Sequence, residues 1–499
     1  MQAQENSFLP KEEAMIVNSG EAQYNGKEIV LTGQVAVQHE LGQISARRLS
    51  VLPVLNKDKK TKFGFLKINE DIHILLKEGG ELHCEQAEVD YAQMQALFFG
   101  SESQPDVVYL NRGEQKEEYQ KKRPPLELKS IQMKLELIRE SNSISSSNKT
   151  LVKQIEADQN VRVRYNEDHL ILADHALYQR IPDEKSSIAG LLTLSVKGTL
   201  PLCTMTNVNG DRLSAYMIQL NTVDRLLFLT RPMGILYMRR EGQPIQSLEF
   251  SSEELVWNDQ EQQMLLKGEV DISQNKLLRI HTSHELSIIQ AISEGKRTIK
   301  TLISPKDTQI SFSDVQNNCV HQVYCPGSFV IDHERQEMTL EGVRDPKKEK
   351  QQVYIEDVLG DMYADHVHFY YQWNEKREFV PERMILVGHV KLMNRYDGHE
   401  DVSDVVLHYA LADRVECFLK TQEMILTSGD GNRVLFFDTV NNVQMSAPSL
   451  KIKNDCVTKK NAIQGMGDVR FTFIEKEFEQ IKSRFPFHKE LQGGKSNKE

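Results

Sequence analysis

With 499 residues, 39% of them hydrophobic and 27% charged, the chain has room for two or three ordinary domains and enough apolar matter for sizeable cores. Its net charge of −11 is spread along the chain, which speaks against the basic face of a nucleic-acid binder, so no nucleic-acid partner is expected. No run nears the ~18 apolar residues of a membrane helix, and the opening MQAQENSFLPKEE lacks the basic-then-apolar layout of a signal peptide.

Residues 1–14 read as a disordered, polar N-terminus. A first β-rich region, 15–240, opens with GEAQYNGKEIVLTGQVAVQHELGQISARRLSVLP. Here Ile29, Leu31, Gly33, Val35 and Val37 fall at every second position, so in a strand they share one face. Asn25-Gly26 predicts a hairpin turn, because both central positions of a type I′ turn need positive φ. The tight Leu41-Gly42-Gln43 turns the chain again. A second copy runs through Ala87, Val89 and Tyr91 to Ala96, Phe98 and Gly100, and a third through Val161, Val163, Tyr165 and Leu170.

Between these copies, 111–150 is rich in Lys, Glu and Ser and predicts a loop insertion, long or partly helical. The basic runs Lys57 to Lys62 and Lys116 to Arg123 predict solvated loops. Asn209-Gly210 marks a further turn, and EGQPIQ is the expected linker. The second region, 246–473, repeats the alternating frame as Met264, Leu266, Gly268, Val270 and Ile272 in MLLKGEVDI. It recurs as Met384, Leu386, Gly388, Val390 and Leu392 in MILVGHVKL, with a shorter form, Met338 and Leu340, ending at Gly342. Asp430-Gly431 predicts a last turn before GDVRFTF. Over 474–499, Ile474, Phe478, Ile481 and Phe485 have the spacing of a short amphipathic helix, followed by a polar tail.

Many short strands and frequent turn signals predict an all-β fold: stacked repeats of jelly-roll or solenoid type, sharing one long interior, with glycine where a strand bends. The apolar positions facing that interior are packed core or the wall of a groove, depending on whether the roll is closed or open.

Signals for chemistry are sparse. Ser146 and Lys149 have SxxK spacing without a companion motif. His366 with His368, and His281 with His284, lie close together without a third ligand in view, so no metal site is expected. The chain contains no GxSxG, HExxH or P-loop. No catalytic residue and no cofactor is therefore expected, and the chain is not expected to be an enzyme. A carbohydrate-active β-helix enzyme would want carboxylates beside aromatic platforms, and only Trp257 and Trp373 are available. Six scattered cysteines make no disulfide framework; Cys319 and Cys325 are the one close pair, with buried free thiols expected.

The order Ala-x-Tyr, Asn-Gly turn, alternating strand with Gly-x-Val, then Ser-Ala-x-x-Leu is carried by Ala22, Tyr24, Gly33, Val35, Ala46 and Leu49. It resembles the LptA/OstA family of lipopolysaccharide-transport proteins and the N-terminal domain of LptD, with fainter echoes from Ala87, from Leu248 and from Ala364 to Leu392. The resemblance implies a periplasmic β-jelly-roll whose apolar groove shields the acyl chains of lipopolysaccharide (lipid A). It also implies pairing by edge strands with other transport components, between inner and outer membrane. On that reading the groove candidates are Ile29, Leu31, Val35, Val37, Phe98, Met264, Leu266, Val270, Ile272, Met384, Leu386, Val390 and Leu392. The chain departs from the family in being longer than a single domain, and no outer-membrane barrel follows. The alternative is a structural or protein-binding β-solenoid scaffold with no lipid cargo.

Overall fold

The computed structural model describes residues 16–473 apart from 40–41, 56–60, 77–79, 112–124, 142–147, 182–189, 239–245, 275–277, 294–295, 315–318, 344–350, 358–359, 374–378, 396–405, 430, 440–441 and 456–459. Among the described residues the protein is all-β, with forty strands. The stretch 1–14, the linker EGQPIQ up to residue 245 and the helix expected from Ile474 lie outside the described residues. Two compact units are present. One runs to Tyr237 and takes in Ser247–Leu266; the other comprises Met238–Gln246 and Lys267 onward.

In the first unit the chain passes back and forth between two antiparallel ladders. Strand Ile29–His39 belongs to both. Its first part pairs with Glu21–Tyr24 and its last part with Ile16–Asn18. Gly80–Asp90 likewise gives its first half to Val107–Asn111 and its second to Gln95–Phe99. Asn148–Tyr165 pairs early with Gln132–Ser141 and late with Leu126–Ser130. The second unit repeats the scheme: Phe379–Arg395 pairs with His366–Trp373 up to Val387 and with Gly360–Ala364 from Lys391 to Met393. The ladders are antiparallel throughout the described pairings.

The line along which strands cross from one ladder to the other is a crease, and its geometry explains the glycines. At Gly33-Gln34, Gly268-Glu269 and Gly388-His389 two successive residues have positive φ (69° and 40°, 69° and 44°, 81° and 46°). Register slips at the first and last of these, between Thr32 and Val35 and between Val387 and Val390. Two residues there face one on the partner strand, a β-bulge that bends the strand. Glycine takes this conformation without steric cost. Glu70-Asp71 and Gln159-Asn160 make the same bulge with no glycine.

Two local expectations are corrected, and a third is placed in the fold. The described part of the expected insertion 111–150 is mostly strand, in Leu126–Ser130, Gln132–Ser141 and from Asn148 onward, while 112–124 and 142–147 lie outside the described residues. Leu126, Leu128, Met133 and Leu135 alternate with charged and polar residues, so the Lys and Glu residues of these two strands form their outward face. At Asn25-Gly26 the connection is four residues, 25–28, since Tyr24 pairs with Ile29. The Asn25 side chain closes it by accepting from the Lys27 and Glu28 N–H groups. The turn at Gly431 is present and belongs to a crossover between ladders, because Glu423–Thr427 pairs with Ser449–Asp455 and Val434–Asp438 with Val443–Ala447.

Candidate functional site

The candidate site is the apolar interior. Leu31, Val35, Val37, Phe98, Met264, Leu266, Val270, Ile272, Met384, Leu386 and Val390 are buried, while Ile29 and Leu392 are half-buried. They belong to two units and to different ladders, so the structure does not gather them at one point. They are positions in a lining. Alternation sets the lining up: a strand such as Leu126–Ser130 buries every second side chain, here Leu126, Leu128 and Ser130.

Along several strands burial weakens with distance from the crease, although Leu66 and Met264, well away from it, are fully buried. Val163 is fully buried and Tyr165 9% exposed; Leu450 is fully buried and Ile452 7%. Leu392 and Met424, each one alternation further out than the buried Val390 and Leu426, are half-buried. In the second unit a cavity of ≈ 60 Å³ opens at this level. Met362, Leu392, Ala410 and Phe436 line it from one ladder, and Met424, Ile452 and Ile463 from the other. Asp361, Asn394, His408 and Tyr409 also line it, so the two ladders face one another across a mostly apolar gap with polar groups on one side.

The crease holds the residues that sequence reading missed. Asp174 is buried opposite the bulge Gln159-Asn160, and its Oδ2 accepts from the backbone N–H groups of Lys197, Gly198, Thr199 and Leu200. Asp365, also buried, accepts from Gln352 Nε2 (3.0 Å) and hydrogen-bonds His389 Nδ1 (3.0 Å). Asp413 receives the Gly429 N–H at 2.7 Å. The signal available in sequence is the repeated Ala-Asp step: Ala173-Asp174, Ala364-Asp365 and Ala412-Asp413. Asp174 and Asp413 tie down crossover segments, and Asp365 ties Gln352 to the bulged His389.

The remaining candidates have partners of their own. His368 meets Glu337 (3.0 Å) and His284 meets Asp307 (3.1 Å). His281 shares Asp271 with the bidentate Arg279. Ser146 lies outside the described residues. Cys319–Cys325 is one extended strand, which puts its ends about 20 Å apart, far beyond the roughly 7 Å Cα limit for a disulfide; Cys325 is a free, buried thiol. Burial pushes the thiol of Cys84 up to about 12 and those of Cys203 and Cys325 up to about 11, so they stay protonated near neutral pH and are poor nucleophiles.

Two clusters among the described residues have metal-ligand chemistry: His73, Glu81 and His83, and Glu156, Asp158 and His175. In the second, Lys197 Nζ lies 3.0 Å from Asp158 Oδ1 and already supplies the cation. The Asp158 carboxyl is held below the usual range; burial opposes this, and the Lys197 and His175 hydrogen bonds outweigh it.

No protein-family model matches the chain, and no curated protein does. Among solved structures it is similar at 8% identity to the Photorhabdus luminescens Tc holotoxin pore, over 87% of this chain and 27% of that one. The TM-score is 0.07, and the likeness carries no argument about fold or function.

Proposed function

We propose that the protein binds lipopolysaccharide in the periplasm, holding the acyl chains of lipid A between its two ladders while sugars and phosphates stay in solvent. It would do so as part of a bridge between inner and outer membrane, as a jelly-roll of the LptA/OstA kind. The observation that supports this reading is the interior itself: two mostly apolar walls, joined along a bulged crease, whose burial loosens away from it along several strands. Each methylene taken out of water contributes about 0.8 kcal/mol, so a run of ten on one acyl chain is worth about 8 kcal/mol with no polar contact required.

The sheet edges support assembly by strand pairing. Among the described residues, Ile16–Asn18 and Glu21–Tyr24 pair with Ile29–His39 alone, and Arg470–Phe473 pairs with Val443–Ala447 alone. Each leaves one side of its backbone open, which is the requirement for adding a partner's strand.

The test is retention of lipopolysaccharide by the full chain on gel filtration, compared with the same lipopolysaccharide stripped of its acyl chains by alkali. Co-elution of the intact lipid only is expected. Equal retention of both would contradict an acyl-binding interior.

A second reading, the scaffold without cargo, is favoured by one observation. The cavity of ≈ 60 Å³ is well below the roughly 300 Å³ at which small-molecule sites begin, so a whole acyl chain enters only if the ladders part at their free sides. The scaffold predicts that neither form of the lipid is retained.

A further inference from the structure

We propose that His73, Glu81 and His83 form a binding site for a divalent late transition-metal ion, with zinc as the ion that best fits the donors. The three residues lie on adjacent strands of one ladder in the first unit. His73 in Thr61–Leu76 stands directly across from His83 in Gly80–Asp90, and Glu81 stands across from Leu75. Their chain neighbours Ile72, Ile74, Leu82 and Cys84 are buried in the interior, so by alternation the site is on the opposite, outward face.

The geometry is close to that of a metal centre. The two imidazoles are stacked, with ring centroids 4.2 Å apart and planes 10° from parallel. Glu81 Oε2 lies 3.8 Å from Nε2 of His73 and 3.8 Å from Nε2 of His83. One ligand atom from each residue falls within 4.8 Å of the others. Tetrahedral zinc with bonds of roughly 2.0–2.1 Å sets its ligand atoms about 3.3 Å apart, so modest side-chain rotations close the site. His73 Nε2 is shielded from solvent and has no hydrogen-bond partner, since 3.8 Å is too long for one. A coordinated ion satisfies that atom.

The donors decide the class of ion. Two imidazole nitrogens and one carboxylate oxygen suit zinc and its neighbours, whereas magnesium and calcium take oxygen ligands. Three protein ligands leave one position for water. Bound there, the ion clamps Thr61–Leu76 to Gly80–Asp90 across the outward face. In the Glu156, Asp158 and His175 cluster Lys197 occupies the place of a cation. This site is independent of any lipid in the interior.

Calorimetric titration of the metal-stripped full chain with zinc tests the proposal. Wild type is expected to bind zinc saturably. His73→Ala and His83→Ala should each weaken that binding by more than about tenfold, a scale already reached by loss of outer-shell partners. Glu81→Gln, which preserves shape, should weaken it as well, and His175→Ala should leave it unchanged. Zinc should raise the thermal unfolding midpoint of wild type and of His175→Ala, and should leave that of His83→Ala unmoved. Absence of saturable zinc binding in wild type, or wild-type binding by both the His83→Ala and Glu81→Gln proteins, would overturn it.

Discussion

Asp174 shows what one carboxylate does at the crease. The Thr199 hydroxyl and the N–H groups of Leu200, Lys197 and Thr199 hold its carboxyl well below the usual carboxylate range, against the opposing effect of burial. A carboxyl whose folded pKa is depressed adds stability that is fully present above its unfolded value, near ~3.9, and is lost as pH falls toward the folded value. Asp174→Asn is therefore expected to be less stable than wild type at pH 7, with the gap narrowing as pH drops below about 4; urea midpoints across that range check the sign. Gly388 and Gly33 form a second residue-level contrast. Both have positive φ, but a Cβ on Gly388 would sit 2.5 Å from Asp365 Oδ2, whereas on Gly33 it meets nothing nearer than 3.9 Å. Gly33→Ala should cost about 1–2 kcal/mol from backbone strain alone, and Gly388→Ala measurably more, by equilibrium denaturation. The glycines were legible because their spacing repeats. The role of Asp174 was not, because the N–H groups it binds lie 23 to 26 residues further along the chain.

At the scale of the strand, the alternating frame carried most of the reading. Leu386 and Val390 are buried as their spacing required, and the same rule, hidden under charge, holds for Leu126 and Met133 in the supposed insertion. Leu386→Ala is expected to cost about 2–5 kcal/mol, while truncation of the half-buried Leu392 should cost less than half as much, as urea titration would show. Near-equal losses would mean that burial does not loosen away from the crease. Two features of the strands were illegible. The bulges at Glu70-Asp71 and Gln159-Asn160 lack the glycine that marks the others; Asp71 and Asn160 tolerate positive φ, but that tolerance alone does not mark a bulge, and strand pairing on both sides holds them there. The stacked His73 and His83 are equally far from the turn between their strands, but only the register of that hairpin shows that they meet.

For the molecule as a whole, sequence predicted an all-β chain of many short strands, and both units are built from antiparallel strands. The division of every unit into two ladders could not be read, because it depends on where long strands bend and which half pairs with which neighbour. The central claim is that the gap between the ladders receives acyl chains. Site-specific photocrosslinking to lipopolysaccharide tests it most directly, with the probe in turn at the cavity-lining Leu392, Met424 and Ile463 and at their outward neighbours Lys391, Ile425 and Gln464. Crosslinks at the first three positions and not at the second three are predicted. Crosslinks at neither set, in a folded protein, would contradict the lipid reading and leave a closed scaffold.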